Sequence, residues 1–365
     1  MSCDTSHIHA ILDFVQTMNE ILRRAEYMQD SKHQPSHINR RFTVLIGIGA
    51  SLVIILSVIF FNAHAGTIFG MRQSSTNSAK SAINIAPIHN ECHTPLHKIG
   101  DETLSIQSGG LTRTFIVHLA PSYGTQPQAM VINYHGYQNT ALRTAQRTNM
   151  SAEADKAGFV LVFPQGIDNP PSWNAGIGVY GPTGDANDVQ FTSHLISYFE
   201  HDYCVDAHRI YVTGYSLGGG MAYRIACTLS NQIAAFATVA GAFYRIPGGC
   251  NASRPIPVLE IHGQADQFAP YDGNAYLGMA SVQTYLNFWL AHDQCKPASK
   301  VIFQKADVTA LEWSQCAKGV IIQHYRISDG GHVWPDSNPT LGIGYNSHTI
   351  DTNVVIWNFL SQFSH

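Results

Sequence analysis

Residues 209–229 read RIYVTGYSLGGGMAYRIACTL. A run of β-branched and aromatic residues breaks at a glycine-rich turn, and a stretch without glycine or proline follows, which predicts a strand, a tight turn and a helix in direct succession. Within the turn, Gly214 to Gly218 spell G-x-S-x-G. That spacing suits a strained strand-to-helix turn in which a side chain at Gly214 or Gly218 would collide with neighbouring backbone, leaving Ser216 exposed at the carboxyl end of the strand. The helix that starts beside Ser216 also directs its free amides and positive dipole end toward developing negative charge. Glycine-rich turns of this kind also occur for packing alone, so the weight falls on whether partners exist.

The rest of the chain places that turn in a larger pattern. The segments RTFIVHL, AMVINY, FVLVF, RIYVT, AAFATVA, IPVLEI and VIIQHYR are short apolar runs of strand character. Helical stretches fall between most of them. In NDVQFTSHLISYFEHDY, Thr192, Leu195, Ile196 and Phe199 share one face, and residues 217–230, 279–292 and 350–363 look similar. Such alternation predicts an α/β fold with a mostly parallel sheet covered by helices on both faces. Residues 91–365 show no internal repeat and no second domain.

A serine hydroxyl is a poor nucleophile until an imidazole accepts its proton and a carboxylate orients that imidazole. In a fold of this type the acid and then the histidine follow the serine in chain order. After the strand PVLEI comes HGQADQFAPYDG, which puts Asp266 in a strand-end loop, with Asp272 as its main rival; after VIIQHYRI comes SDGGHVWP, which puts His332 in the next one. Asp329 stands too near His332 in sequence to serve as its acid. The oxyanion needs two backbone amides, one from Leu217 after the serine and one from the loop following AMVINY, where HGYQN makes Tyr137 the candidate and leaves His135 a structural part. No His/Cys cluster has zinc spacing, so neither a metal nor a cofactor is expected.

The amino terminus has a different character. Phe42 to Phe61 is an uncharged apolar run of the length that crosses a bilayer as a helix. Arg23, Arg24, Lys32, Arg40 and Arg41 precede it against Arg72 and Lys80 after it, which orients residues 1–41 toward the cytoplasm and everything after residue 62 outside. Either the run stays as an uncleaved anchor, or the small residues of NAHAG mark a signal-peptide site behind a leader that starts at Met28. Residues 62–90, rich in Ser, Asn and Ala, read as a linker to a domain at 91–365. Beyond the apolar run lie six cysteines, at 92, 204, 227, 250, 295 and 316, an even number that suits disulfides in an oxidising compartment; Cys295 and Cys316 flank one local excursion and are the first pair expected. Asn149-Met150-Ser151 and Asn251-Ala252-Ser253 match glycosylation acceptors. A formal charge of -4 with 13% charged residues gives no basic stripe for nucleic acid, and the expected membrane contact is limited to the N-terminal helix.

CVDAHRIYVTGYSLGGGMAYRIAC, AAFATVAGAFY, PIPVLEIHGQADQFAPYDG and GGHVWP together resemble the secreted esterases of carbohydrate esterase family 1, the feruloyl esterase and polyhydroxybutyrate-depolymerase-like group of the α/β-hydrolase superfamily. CHTPLH, SGGLTRTFIVHLAPSYG, FPQG and DANDVQF extend the resemblance over roughly residues 92–363. It implies an α/β-hydrolase fold, a triad of Ser216, Asp266 and His332, and hydrolysis of esters between hydroxycinnamic acids and plant cell-wall sugars. Two features depart from the pattern: Leu217 stands where many relatives carry Asn, and most relatives lack the membrane segment. Trp173 in PPSWNAG and Trp334 beside His332, with Tyr215 and Tyr137 nearby, are expected to line an apolar slot for a planar acyl group. Rival expectations on the same triad are a polyhydroxybutyrate depolymerase, for which no residues remain to form a polymer-binding module, and an acetylxylan esterase, which needs a smaller pocket. A serine peptidase lacks its usual gating domain here, and a non-catalytic hydrolase-fold binding protein is disfavoured by the retained Ser, Asp and His.

Overall fold

The computed structural model describes residues 97–124, 126–178 and 186–365. The expected cytoplasmic tail, apolar helix and linker, residues 1–90, lie outside the described residues. Among those described, no helix is long and apolar enough to cross a membrane.

Among the described residues, ten strands form one sheet. Its centre is parallel: β4 (Val160–Pro164), β3 (Gln128–Tyr134), β5 (Val205–Gly214), β6 (Ala235–Val239), β7 (Val258–Gly263) and β10 (Ile322–Ile327), in that spatial order. Antiparallel strands close both ends, β2 (Leu111–Leu119) and β1 (Gly100–Ser108) beside β4, and β9 (Val308–Trp313) and β8 (Lys300–Lys305) beside β10. A separate short hairpin pairs β11 (His332–Trp334) with β12 (Leu341–Ile343). All seven predicted strands are present. The strands that escaped prediction are mostly at edges: β1 alternates half-buried with exposed positions, and β8 has no fully buried residue, so neither shows an apolar run.

Helices cover both faces. Met130, Ile132 and Tyr134 of β3 point into one core with α3 (Asp188–Asp202), α4 (Leu217–Thr228) and α5 (Val282–His292); Ala129 and Val131 point into the other with α1 (Ala141–Thr148), α2 (Met150–Ala157) and α6 (Thr352–Leu360). Strands buried on both sides read as continuous hydrophobic runs, which is why the central ones were legible. Helices α1 and α2 were not, because α1 buries only Ala141, Thr144, Ala145 and Thr148, small or polar residues without an apolar stripe.

Two disulfides join Cys227 to Cys250 and Cys295 to Cys316, the second being the expected pair, and Cys204 is disulfide-bonded as well.

Candidate active site

Ser216 stands between the last residue of β5 and the first of α4, with φ 59° and ψ −122°, a conformation that L residues hold only under constraint. The constraint is close packing of backbone. A Cβ at Gly214 would lie 2.3 Å from Gly218 O, and one at Gly218 would lie 2.1 Å from Tyr134 O. Only glycine lets strand, turn and helix approach this closely.

His332, the first residue of β11, and Asp266, in the loop after β7, arrive from just beyond β10 and β7. His332 Nε2 is 2.8 Å from Ser216 Oγ, and His332 Nδ1 is 2.7 Å from Asp266 Oδ2. The carboxylate can only accept, so Nδ1 carries the proton and donates it, leaving the Nε2 lone pair to accept from the serine hydroxyl. Asp266 Oδ1 accepts from the amides of Phe268 and Ala269, each at 2.8 Å, which fixes the carboxylate plane. Burial pushes the Asp266 carboxyl up, but hydrogen bonds and charge from His262 and His332 outweigh it and hold the group well below the usual carboxylate range. The three side chains form a hydrogen-bonded line from the interior to Ser216 Oγ.

That oxygen opens into a cavity of about 490 Å³. Leu217 and Tyr137, the residues expected to supply amides to an oxyanion, both line it, and Gly136 is packed so tightly on Ser216 that a Cβ there would come within 3.2 Å of Ser216 Cβ. The apolar wall comes from Ala242, Tyr244, Phe268, Met279, Leu341 and Ile343. Phe268 is 52% exposed with its ring 5.6 Å from that of His332, so it forms part of the rim.

The two tryptophans do not form this wall. Trp173 and Trp334 are both 0% exposed and absent from the cavity lining, which corrects the expectation that they flank a planar acyl group. Each is withdrawn into a different core, because a large ring gains most when all its surface leaves water. Trp173 has a supporting part instead: its Nε1 donates to His135 O at 2.8 Å, bracing the segment that precedes Tyr137. Tyr215 does line the cavity, but it is 5% exposed and its hydroxyl donates to the backbone oxygen of His332 at 2.7 Å. Its place is behind the histidine.

His135 is structural in its contacts. Its Nδ1 donates to Gly136 O at 2.7 Å and its Nε2 accepts from Gly166 N at 2.9 Å, while burial lowers its pKa to about 4, so it stays neutral. Gln165, from the FPQG motif, caps the same region by accepting from Ala141 N. Of the expected slot residues only Tyr137 and Tyr215 line the cavity, and sequence reasoning did not single out Ala242, Met279 or Ile343 for it. It also missed Glu260 and His262 behind Asp266; the signal available was the ionisable pair inside an otherwise apolar central strand.

Comparison with known proteins agrees with this architecture. The Phospholipase/Carboxylesterase family matches residues 120–300. An acetyl xylan esterase from Aspergillus awamori superposes with a TM-score of 0.51 at 12% identity, covering 71% of this chain and 99% of the other. The chain has the α/β-hydrolase fold. Among curated relatives, a bifunctional acetylxylan esterase/xylanase of Neocallimastix patriciarum is 27% identical over 250 residues, 67% of this chain and 32% of that one. Feruloyl esterase B of Piromyces equi is 29% identical over 255 residues, 66% of this chain and 43% of that one. The chain therefore spans less than half the length of these two relatives.

Proposed function

We propose that this α/β-hydrolase is a serine carboxylic-ester hydrolase acting outside the cell, a feruloyl esterase that releases hydroxycinnamic acids from plant cell-wall polysaccharides. The observation that carries the proposal is the Ser216–His332–Asp266 hydrogen-bonded line opening into the apolar-walled cavity. Similarity to Feruloyl esterase B supports the substrate class. In this mechanism His332 Nε2 takes the Ser216 proton as Oγ attacks the ester carbonyl, and Asp266 stabilises the imidazolium that results. The amides of Leu217 and Tyr137 receive the oxyanion. Collapse of the tetrahedral intermediate passes the proton from His332 to the departing sugar oxygen and leaves an acyl group on Ser216. Water, activated by the same histidine, then releases the acid.

A cavity of about 490 Å³ falls within the usual range for small-molecule sites and exceeds what an acetyl group fills. The alternative is an acetylxylan esterase on the same triad, favoured by the names of the Neocallimastix and Aspergillus proteins. Disulfides suit an oxidising compartment, and the apolar run at 42–61 would either hold the domain on the outer face of a membrane or be cleaved to release it. The test is hydrolysis of methyl ferulate, a short acetyl ester and a polyhydroxybutyrate suspension by the full-length chain, with Ser216→Ala as control. Dominant ferulate release that the alanine variant lacks supports the proposal. Release of acetate or polymer alone retains the triad and replaces the substrate, and no hydrolysis of any ester rejects the enzyme.

A further inference from the structure

Behind Asp266 the sheet buries more ionisable groups than a triad uses. Glu260 and His262 are two residues apart on β7 and therefore share a face; His324 on β10 stands in register with Glu260 on the neighbouring strand. Their side chains are 0%, 1% and 3% exposed. Glu260 Oε1 lies 2.7 Å from His262 Nδ1, and Glu260 Oε2 lies 2.6 Å from His324 Nδ1. On its other side, His262 Nε2 is 2.8 Å from Ala269 O and 3.5 Å from Asp266 Oδ2, the oxygen that also receives His332.

The partners decide the proton count. A backbone carbonyl only accepts, so the contact at Nε2 requires a hydrogen there. An ionised Glu260 only accepts, so the contact at Nδ1 requires a second hydrogen. A neutral imidazole has one. His262 is thus an imidazolium between two carboxylates, unless Glu260 itself holds the proton. Burial would discharge the pair, but the mutual attraction prevails: it lifts His262 to about 10 and, with His324, holds Glu260 below its ordinary value.

We propose that Glu260 and His262 are positioning residues of the esterase site, a buried ion pair whose positive end braces the Asp266 carboxylate and extends the catalytic line two residues into the sheet. This rests on the serine-esterase reading above. The ion pair does two things. It keeps Asp266 ionised and aimed at His332, and it sets a positive charge against the carboxylate that His332 faces. The titratable groups facing the pair are Asp266 and, through it, His332 from the site loops, His324 from β10, Tyr271 from the segment after Asp266, whose hydroxyl is 2.7 Å from His324 Nε2, and Tyr285 of α5.

The first measurement is on the native full-length chain with ¹⁵N-labelled histidine, using His262→Gln to assign the signal. An imidazolium for His262 that persists from pH 6 to pH 9 supports the pair, and a neutral ring at pH 7 overturns it. The second is the pH profile of kcat/KM in Glu260→Gln and His262→Gln. His262→Gln removes the positive end, so its acid limb moves upward by roughly 1 unit, about a tenfold loss on that limb, with a smaller change on the plateau, whereas Glu260→Gln removes a negative charge and leaves His262 beside Asp266, so its limb moves the other way. A uniform loss at every pH with an unmoved limb means the two residues only hold the fold together and rejects the proposal. If the native chain hydrolyses no ester, the esterase reading falls, and the imidazole spectrum still decides the ion pair.

Discussion

At the scale of single residues, the side chains that matter most around Ser216 act from behind it. Tyr215 is adjacent to the serine in sequence, yet its hydroxyl reaches back to the backbone oxygen of His332. Tyr215→Phe leaves that buried carbonyl without its donor, a cost of about 1–3 kcal/mol in denaturant unfolding, and lowers kcat with little change in KM because no substrate contact is lost. Trp334 makes the opposite point about neighbourhood. Being fully buried, it contributes packing, so Trp334→Ala is expected to cost about 3–5 kcal/mol of stability while leaving the ratio of feruloyl to acetyl hydrolysis unchanged in the surviving folded enzyme. That ratio should respond instead to Met279→Ala or Phe268→Ala, whose side chains line the cavity.

Between elements, one buried ion pair ties β2, α3 and the Trp173 loop together. Arg113 of β2 donates to Asp188 Oδ1 at 2.7 Å, both side chains are 1% exposed, and the guanidinium lies 4.0 Å over the Phe191 ring. Asp188 Oδ2 accepts from Asn174 N at 2.7 Å, next to Trp173. Asn187 caps α3 by accepting from Gln190 N. Three residues of the motif DANDVQF thereby have a part: Asn187 as a cap, Asp188 as a charge and Phe191 as a ring. Removing one partner strands the other charge, so Arg113→Met is expected to destabilise the domain by about 3–5 kcal/mol, and replacing both Arg113 and Asp188 with apolar residues should recover part of it in the same unfolding assay.

For the molecule as a whole, the buried histidines set how stability follows pH. His262 is raised to about 10 from an unfolded value of about 6.5, so its contribution is complete below pH 6.5 and is lost as pH climbs through 10. On the acid side the effects oppose each other. His135, lowered to about 4, favours the fold more as pH rises from 4 to 6.5, whereas Asp293, raised to about 6 by burial, favours it less over nearly the same interval. Asp266, depressed in the fold, loses its contribution only as pH falls below the ordinary carboxylate range. The Tm is therefore expected to change little between pH 4 and 6.5 and to fall steadily between 6.5 and 10, and Glu260→Gln should flatten the alkaline fall in a thermal scan.

How much of this was legible beforehand follows from which forces are local. Strand and helix periods are written within a few residues, so the central strands, the helices with apolar stripes, the glycine turn at 214–218 and the chain order of Ser216, Asp266 and His332 at successive strand ends could all be read from the sequence. The distances among those three side chains required the sheet, because residues 50 and 66 positions apart meet only once the parallel strands align their ends. The edge strands and α1 stayed hidden because half-exposed or small side chains leave no periodic signal. Tertiary structure alone decided that Trp173 and Trp334 go into the cores, that Met279 and Ile343 come to the cavity, and that Glu260 and His262 stand behind Asp266. Each is an outcome of competition for buried volume and charge partners among segments far apart in the chain, and no local pattern records who wins it.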